Sequence, residues 1–149
     1  MRIYLDNCCY NRPFDDQFQL RISLETQAKL FIQELIRENK IELASSYMLN
    51  YENEQNPFDV KRDAIGSFLR DNASVYVGYE KMEEVNVIAK TIAQDGIKAK
   101  DAVHVACAIL SSCDCFLTTD IRLLKYRSDR ISLLNPVDFI QKWEEITDG

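Results

Sequence analysis

Glycine and proline are scarce in this chain of 149 residues, at four and three. So few breakers leave little room for linkers, and no repeat or low-complexity tract interrupts the sequence. No apolar run approaches the roughly 18 residues that a membrane-spanning helix needs. The opening segment Met1-Arg2-Ile3-Tyr4-Leu5-Asp6 lacks the longer apolar stretch and small-residue cleavage site of a signal peptide, so a cytoplasmic location is expected. Histidine occurs once, as His104, and the five cysteines Cys8, Cys9, Cys107, Cys113 and Cys115 include no Cys-x-x-Cys pair. That argues against a zinc centre. The odd count and the lack of any sign of secretion argue against a disulfide framework, so all five read as reduced and mostly as small apolar fillers. Phosphate-binding glycine loops and the Gly-x-Ser-x-Gly elbow are also missing. No Asp-x-Asp pair follows the first apolar run, which disfavours phosphatases that work through an aspartyl phosphate.

What remains is an ordinary globular composition, 46% hydrophobic and 28% charged. It fits one domain over 1–149, large enough to bury a core. Net charge is −6 and the pI is near 4.8. Such a balance opposes loose binding to nucleic acid, which relies on neutralising phosphates. It leaves open a site whose carboxylates become cationic once loaded with metal. Basic residues gather locally all the same: Lys98 and Lys100 flank Asp101, and Arg122, Lys125, Arg127 and Arg130 follow Asp120.

Apolar periodicity alternates between strand and helix. Strands are expected at Arg2–Asp6, Ile41–Ser45, Ala73–Val77, Cys115–Thr118 and Ile131–Leu134. Ser23–Glu38 reads as an amphipathic helix with Leu24, Ala28, Phe31, Ile32, Leu35 and Ile36 inward, ended by Asn39 in a left-handed cap. Ser46 is placed to cap a helix running through Glu52 to about Gln55. Asp59 is expected to cap a helix to about Arg70, with Val60, Ala64 and Phe68 inward. Glu80–Gln94 is expected to be helical with Met82, Val85, Ala89 and Ile92 inward, ending at Gly96. Lys100–Ser112 is apolar nearly all round and is expected to be buried. Asn135-Pro136 opens a last helix with Val137, Ile140 and Trp143 on its apolar side. Alternating strands and helices without hairpin turns predict a mostly parallel sheet of four to five strands covered on both faces, with the ligand site at the strands' carboxyl ends.

Four acids fall where such a sheet gathers side chains. Asp6 directly follows the apolar run Ile3-Tyr4-Leu5, Asp120 directly follows Cys115-Phe116-Leu117-Thr118-Thr119, Asp101 opens the buried helix, and Glu52 lies in the helix after the second strand. Clustered carboxylates repel one another unless cations hold them together. With little histidine and no paired cysteine, the hard cations Mg2+ or Mn2+ and phosphodiester chemistry are the natural reading. Each acid also has a plainer role open to it. Asp6 and Asp120 suit helix caps, and Asp101 suits the positive end of a helix dipole. His104, three residues after Asp101, is more readily a hydrogen-bonded helix histidine than a ligand or base. Thr118 and Thr119 could orient an acid or a metal-bound water, and Asn7 could bond the Asp6 carboxylate. Tyr10, Tyr47 and Tyr51 are core residues by default, with base stacking the alternative.

The segments Leu5-Asp6-Asn7, Tyr51-Glu52-Asn53, Lys100-Asp101-Ala102-Val103-His104-Val105-Ala106 and Thr118-Thr119-Asp120 together resemble the PIN-domain family of metal-dependent ribonucleases. The stretch Leu5 to Gln17 is similar to a bacterial subgroup of it. The resemblance implies a three-layer α/β/α sandwich and an acidic site holding Mg2+ or Mn2+. It implies cleavage of single-stranded RNA, with Asp6, Glu52, Asp101 and Asp120 as catalytic and metal-binding residues. Asn7, Thr118, Thr119, Lys98, Lys100 and Arg122 would support them or hold the RNA. Many members are VapC-like toxins restrained by a small antitoxin; a homodimer is a further option, and no membrane is involved. Asn7-Cys8 departs from the family's usual residues, and Ile121-Arg122-Leu123-Leu124 lacks a further acid, which implies that a second metal ion binds weakly. The alternative is a catalytically weak PIN-like domain that works by binding protein or RNA. A metal-dependent phosphatase or a response-regulator receiver is a remoter option, and Val77-Gly78-Tyr79 lacks the acid a receiver needs.

Overall fold

The computed structural model describes residues 1–148. Strand β1 (Arg2–Leu5) is followed by a short helix α1 (Asn7–Asn11), a 3-10 turn (Arg12–Phe14) and the long helix α2 (Leu20–Arg37). Then come β2 (Glu42–Ser46), α3 (Tyr47–Glu54), α4 (Asp59–Asn72), β3 (Val75–Val77), α5 (Met82–Ala93) and α6 (Ala99–Leu110). The chain ends with β4 (Cys115–Leu117), α7 (Ile121–Leu124), β5 (Ser132–Leu134) and α8 (Pro136–Asp148). All five strands are parallel, in the order β3-β2-β1-β4-β5. Helices cover both faces, giving the three-layer α/β/α sandwich expected from the sequence.

Side chains alternate between faces along a strand. Tyr4 is in register with Ala44 and Phe116 and stacks on the Phe116 ring at 5.4 Å. That face carries α6, whose His104 hydrogen-bonds to Tyr4. Ser45 and Tyr76 are paired on the opposite face, beneath α4. The central strand residues Ile3, Tyr4, Leu5, Cys115, Phe116 and Leu117 are fully buried, which is why β1 and β4 read as unbroken apolar runs. Asn39 at φ 59° and Gly96 at φ 92° end α2 and α5 in the left-handed region, as their residue types suggest. Ser46 caps α3 by accepting from the Leu49 N–H, and Asn135 accepts from the Val137 N–H at the start of α8.

Several expectations need correcting. Helix α2 begins three residues earlier than its apolar pattern, and Leu24 and Phe31 are nearly half exposed. Glu25, Thr26 and Lys29 take inward positions in that helix. Glu25 is 1% exposed and receives Arg12 Nε at 2.8 Å, Arg21 Nε at 3.2 Å and the Asn135 side-chain amide. Lys29 Nζ bonds Gln33 Oε1 and lies over the Tyr10 and Phe68 rings. An inward stripe built on ion pairs and cation–π contacts is invisible to a hydrophobicity pattern. In α4, Asp59 is the first helical residue rather than the cap, and it pairs with Arg62 at 2.9 Å. Val60 and Ala64 face solvent; Ile65, Phe68 and Leu69, at helical spacing, are the buried set. Met82 and Val137 sit at exposed rims, while Phe139 is fully buried in α8. Asp6 caps the short helix α1, its side chain accepting from the Asn7 N–H.

Glu25 ties the α2 face to the 3-10 turn and to the start of α8, and its loss would leave the partly buried Arg12 guanidinium and the Asn135 amide without this acceptor. Glu25→Ala is expected to lower stability by about 3 kcal/mol, measured by urea denaturation. A loss within experimental error would show that the network contributes nothing.

Candidate active site

The chain leaves β1 toward β2 on one side and leaves β4 toward β5 on the other, so a crevice opens between the carboxyl ends of these adjacent strands. Leu5 and Leu117 are in register there, and the Asp6 N–H donates to the Leu117 carbonyl at 2.9 Å. Asp6 is 7% exposed. Its Oδ1 accepts from the Asn7 N–H at 2.8 Å, and its Oδ2 accepts from Thr118 Oγ1 at 2.8 Å and from Cys8 Sγ at 3.4 Å. Burial lifts its pKa from 3.8 to about 8, while His104 and the hydrogen bonds from Thr118 and Asn7 oppose the rise. The Asn7 contribution comes from the backbone N–H.

Asp101, at the first turn of α6, is partly buried. Its pKa is also raised, first by burial and then by the negative charge of Asp120, with Glu52 adding to it; His104 and Lys98 oppose the rise. Asp101, Asp120 and Glu52 thus share one electrostatic field, and Asp6 joins it through His104. The carboxylates are neighbours without being converged: among the described residues, no three His, Cys, Asp or Glu side chains are gathered tightly enough to hold an ion. Two of them are turned to protein partners. Glu52 Oε1 lies 2.7 Å from His104 Nε2. Asp120 is exposed and caps α7, its Oδ1 accepting from the Arg122 and Leu123 N–H groups at 2.9 and 3.3 Å.

His104 is 1% exposed and is held at both ring nitrogens. Its Nδ1 lies 2.7 Å from the Tyr4 hydroxyl, which lies 2.6 Å from Ser46 Oγ. A continuous line Ser46–Tyr4–His104–Glu52 therefore crosses from the sheet to α3 and fixes the Glu52 carboxylate. This is the hydrogen-bonded histidine that the sequence favours over a ligand. The sequence shows Ser46 only as the α3 cap and gives no sign of Tyr4's part in this line, because a tyrosine in an apolar strand looks like core packing.

Thr118 holds Asp6 rather than Asp120; its hydroxyl also accepts from the Asp120 N–H at 3.1 Å. The Thr119 carbonyl takes Arg21 Nη2, and its N–H donates to Cys8 Sγ at 3.3 Å. Cys8 is therefore part of the crevice wall, whereas Cys9, Cys107, Cys113 and Cys115 are the buried fillers expected. Lys98, Lys100 and Arg122 are exposed around the crevice. Tyr10 and Tyr47 are core residues, Tyr47 stacked on Tyr79 at 4.8 Å, while Tyr51 is about half exposed.

No family profile matches the sequence, and no curated protein matches it. Solved structures do match in three dimensions. One is VapBC2 from Rickettsia felis bound to a DNA fragment from its promoter, at a TM-score of 0.55 and 15% identity, covering 91% of this chain and 98% of that one. Another is FitAcB from Neisseria gonorrhoeae, at a TM-score of 0.57 and 18% identity, covering 90% and 97%. The chain has a PIN-like three-layer fold. At these identities the likeness is one of fold, and chemistry must be argued from the site itself. Within this PIN-like fold the crevice between β1 and β4 is where Asp6 and the elements bearing Asp101 and Asp120 meet.

A carboxyl whose pKa is higher folded than unfolded binds its proton more tightly in the folded state. Its ionisation therefore removes stability as pH rises from about 4 toward 8. In metal-free buffer the wild-type chain is expected to lose about 2–5 kcal/mol across that window relative to Asp6→Asn. Parallel denaturation of the two proteins against pH checks this; curves that stay parallel contradict the raised pKa.

Proposed function

We propose that this chain is a metal-dependent endoribonuclease, a hydrolase that cuts the phosphodiester bonds of single-stranded RNA. The observation that carries the reading is Asp6, a nearly buried carboxylate at the mouth of the sheet with no basic side chain bonded to it, in the same field as Asp101, Asp120 and Glu52. Oxygen-only donors of this kind fit Mg2+ or Mn2+. Asp6, Asp101 and Asp120 would hold the ion directly or through water, with Glu52 a ligand or general base. When bound, the ion supplies a water of lowered pKa and charge neutralisation at the scissile phosphate.

The protein's own contributions are positional. Thr118 and the Asn7 N–H fix the Asp6 carboxylate, and His104 fixes Glu52. Among the described residues the remaining oxygens, Asp120 Oδ2 and Glu52 Oε2, have no protein hydrogen bond and are free to turn toward a cation. Lys98, Lys100 and Arg122 would grip the RNA backbone at the rim. The fold is shared with chains solved in the VapBC2 and FitAcB complexes. This favours a toxin restrained by a small antitoxin, which would present basic residues to the acidic crevice. No helix among the described residues is long and apolar enough to cross a membrane.

A second reading draws on the unconverged carboxylates: a PIN-like domain that binds protein or RNA and cleaves poorly. Calorimetry with Mn2+ separates the two, since the nuclease reading expects saturable binding lost in Asp101→Asn. With purified protein, Mg2+ and end-labelled single-stranded RNA, Asp6→Asn is expected to lower cleavage at least about 100-fold while circular dichroism stays native. Cleavage at the wild-type rate in that variant would remove Asp6 from the chemistry.

A further inference from the structure

Three buried side-chain polar atoms among the described residues have no hydrogen-bond partner: the Tyr10 hydroxyl, the Ser45 hydroxyl and Asn53 Oδ1. Ser45 and Asn53 line one cavity of about 810 Å3 between β2, β3, α3 and α4. They are 2% and 8% exposed. A buried polar atom without a partner is costly; both atoms are closed off from solvent in this structure, so a ligand in the cavity reaches them only as the lining side chains part. Its position is separate from the acidic crevice. Glu52 on α3 bonds His104 on α6, whereas the next residue, Asn53, bonds α4 through Nδ2 and the Arg62 carbonyl at 2.9 Å.

That bond orients the Asn53 amide and leaves Oδ1 as an acceptor only. Ser45 Oγ can donate or accept. The floor therefore asks for an N–H or O–H beside a second polar atom. A phosphate or carboxylate offers no proton to Asn53 and does not match. The charged lining is balanced, Arg62 and Arg70 against Glu54 and Asp63, which again suits a neutral group. At the rim Tyr76 is half exposed, and its hydroxyl accepts from Asn50 Nδ2 at 3.0 Å, which steadies the ring. Arg70 spends one N–H on Ser67 Oγ at 3.1 Å and keeps the rest of its fork.

We infer that this cavity is a nucleobase pocket for one unpaired base of the RNA strand. Asn53 Oδ1 and the Ser45 hydroxyl read the base edge, Tyr76 is the stacking platform, and Arg70 is the phosphate partner. The same helix α3 then serves the crevice with Glu52 and the base with Asn53, giving the enzyme a sequence preference at a nucleotide away from the cut. The inference rests on the RNA reading for the identity of the strand and needs no catalysis.

The test is an amide chemical-shift titration of the full chain, without divalent metal, against the four ribonucleoside 5′-monophosphates, ribose 5-phosphate and inorganic phosphate. Saturable shifts at Ser45, Asn53 and Tyr76 are expected from at least one base-bearing probe and from neither control. Ser45→Ala should weaken that binding about tenfold, the worth of one hydrogen bond, and Asp6→Asn should leave it unchanged. Equal response to ribose 5-phosphate overturns the base pocket. So does silence from all four nucleotides, which leaves ordered water as the occupant, and so does an unaffected Ser45→Ala. Base binding in a chain that cuts no RNA would refute the catalytic reading alone.

Discussion

One carboxylate sets the terms for this molecule. Asp6 is carried by the end of β1 into a place 7% exposed, against β4, with Leu5 and Leu117 in register behind it. Hydrogen bonds from Thr118, Asn7 and Cys8 orient it, but no lysine or arginine neutralises it. Near neutral pH such a group must take either a proton or a cation. The parallel sheet makes the dilemma unavoidable, because the next strand in the crevice, β4, runs straight toward Asp120, and the α6 terminus brings Asp101 into the same field.

Glu25 shows what the alternative looks like. It is more deeply buried than Asp6, at 1% exposed, yet two arginines and an asparagine amide surround it. Its charge is answered within the protein, and it joins α2 to α8 and to the turn after α1. Burial alone therefore does not distinguish the two; the missing partner does. Glu52 lies between these extremes, since His104, anchored through Tyr4 and Ser46, holds one of its oxygens.

The strands and their order of appearance were legible chiefly because β1 and β4 are buried on both faces and read as apolar runs. Asp6 and Asp120 drew notice because an acid at the end of such a run has few reasons to be there, Asp101 because it opens a buried helix, and Glu52 because it lies in the helix after the second strand. The inward face of α2 was not. Its pattern pointed to Leu24 and Phe31, and the chain instead turned Glu25 and Lys29 inward, where Arg12, Asn135 and the Tyr10 and Phe68 rings, all distant in sequence, receive them. Partners far apart in sequence leave no periodic trace. The Tyr4–His104 link was hidden for the same reason, a strand and a helix a hundred residues apart.

Asp120 also shows why a capping role and a metal-binding role need not compete. A carboxylate offers about four lone-pair directions on two oxygens. The α7 cap draws both of its N–H bonds to Oδ1, and Oδ2 is left without a donor among the described residues. Glu52 divides its oxygens similarly, Oε1 to His104 and Oε2 unclaimed. A carboxylate anchored by one oxygen is a stiffer ligand than a free one, since the anchor has already removed much of its rotational freedom. On this argument the plain reading of Asp120, a cap at a strand end, is part of what would equip it to hold an ion, and the two hydrogen bonds that seem to occupy it are the means by which its second oxygen is aimed.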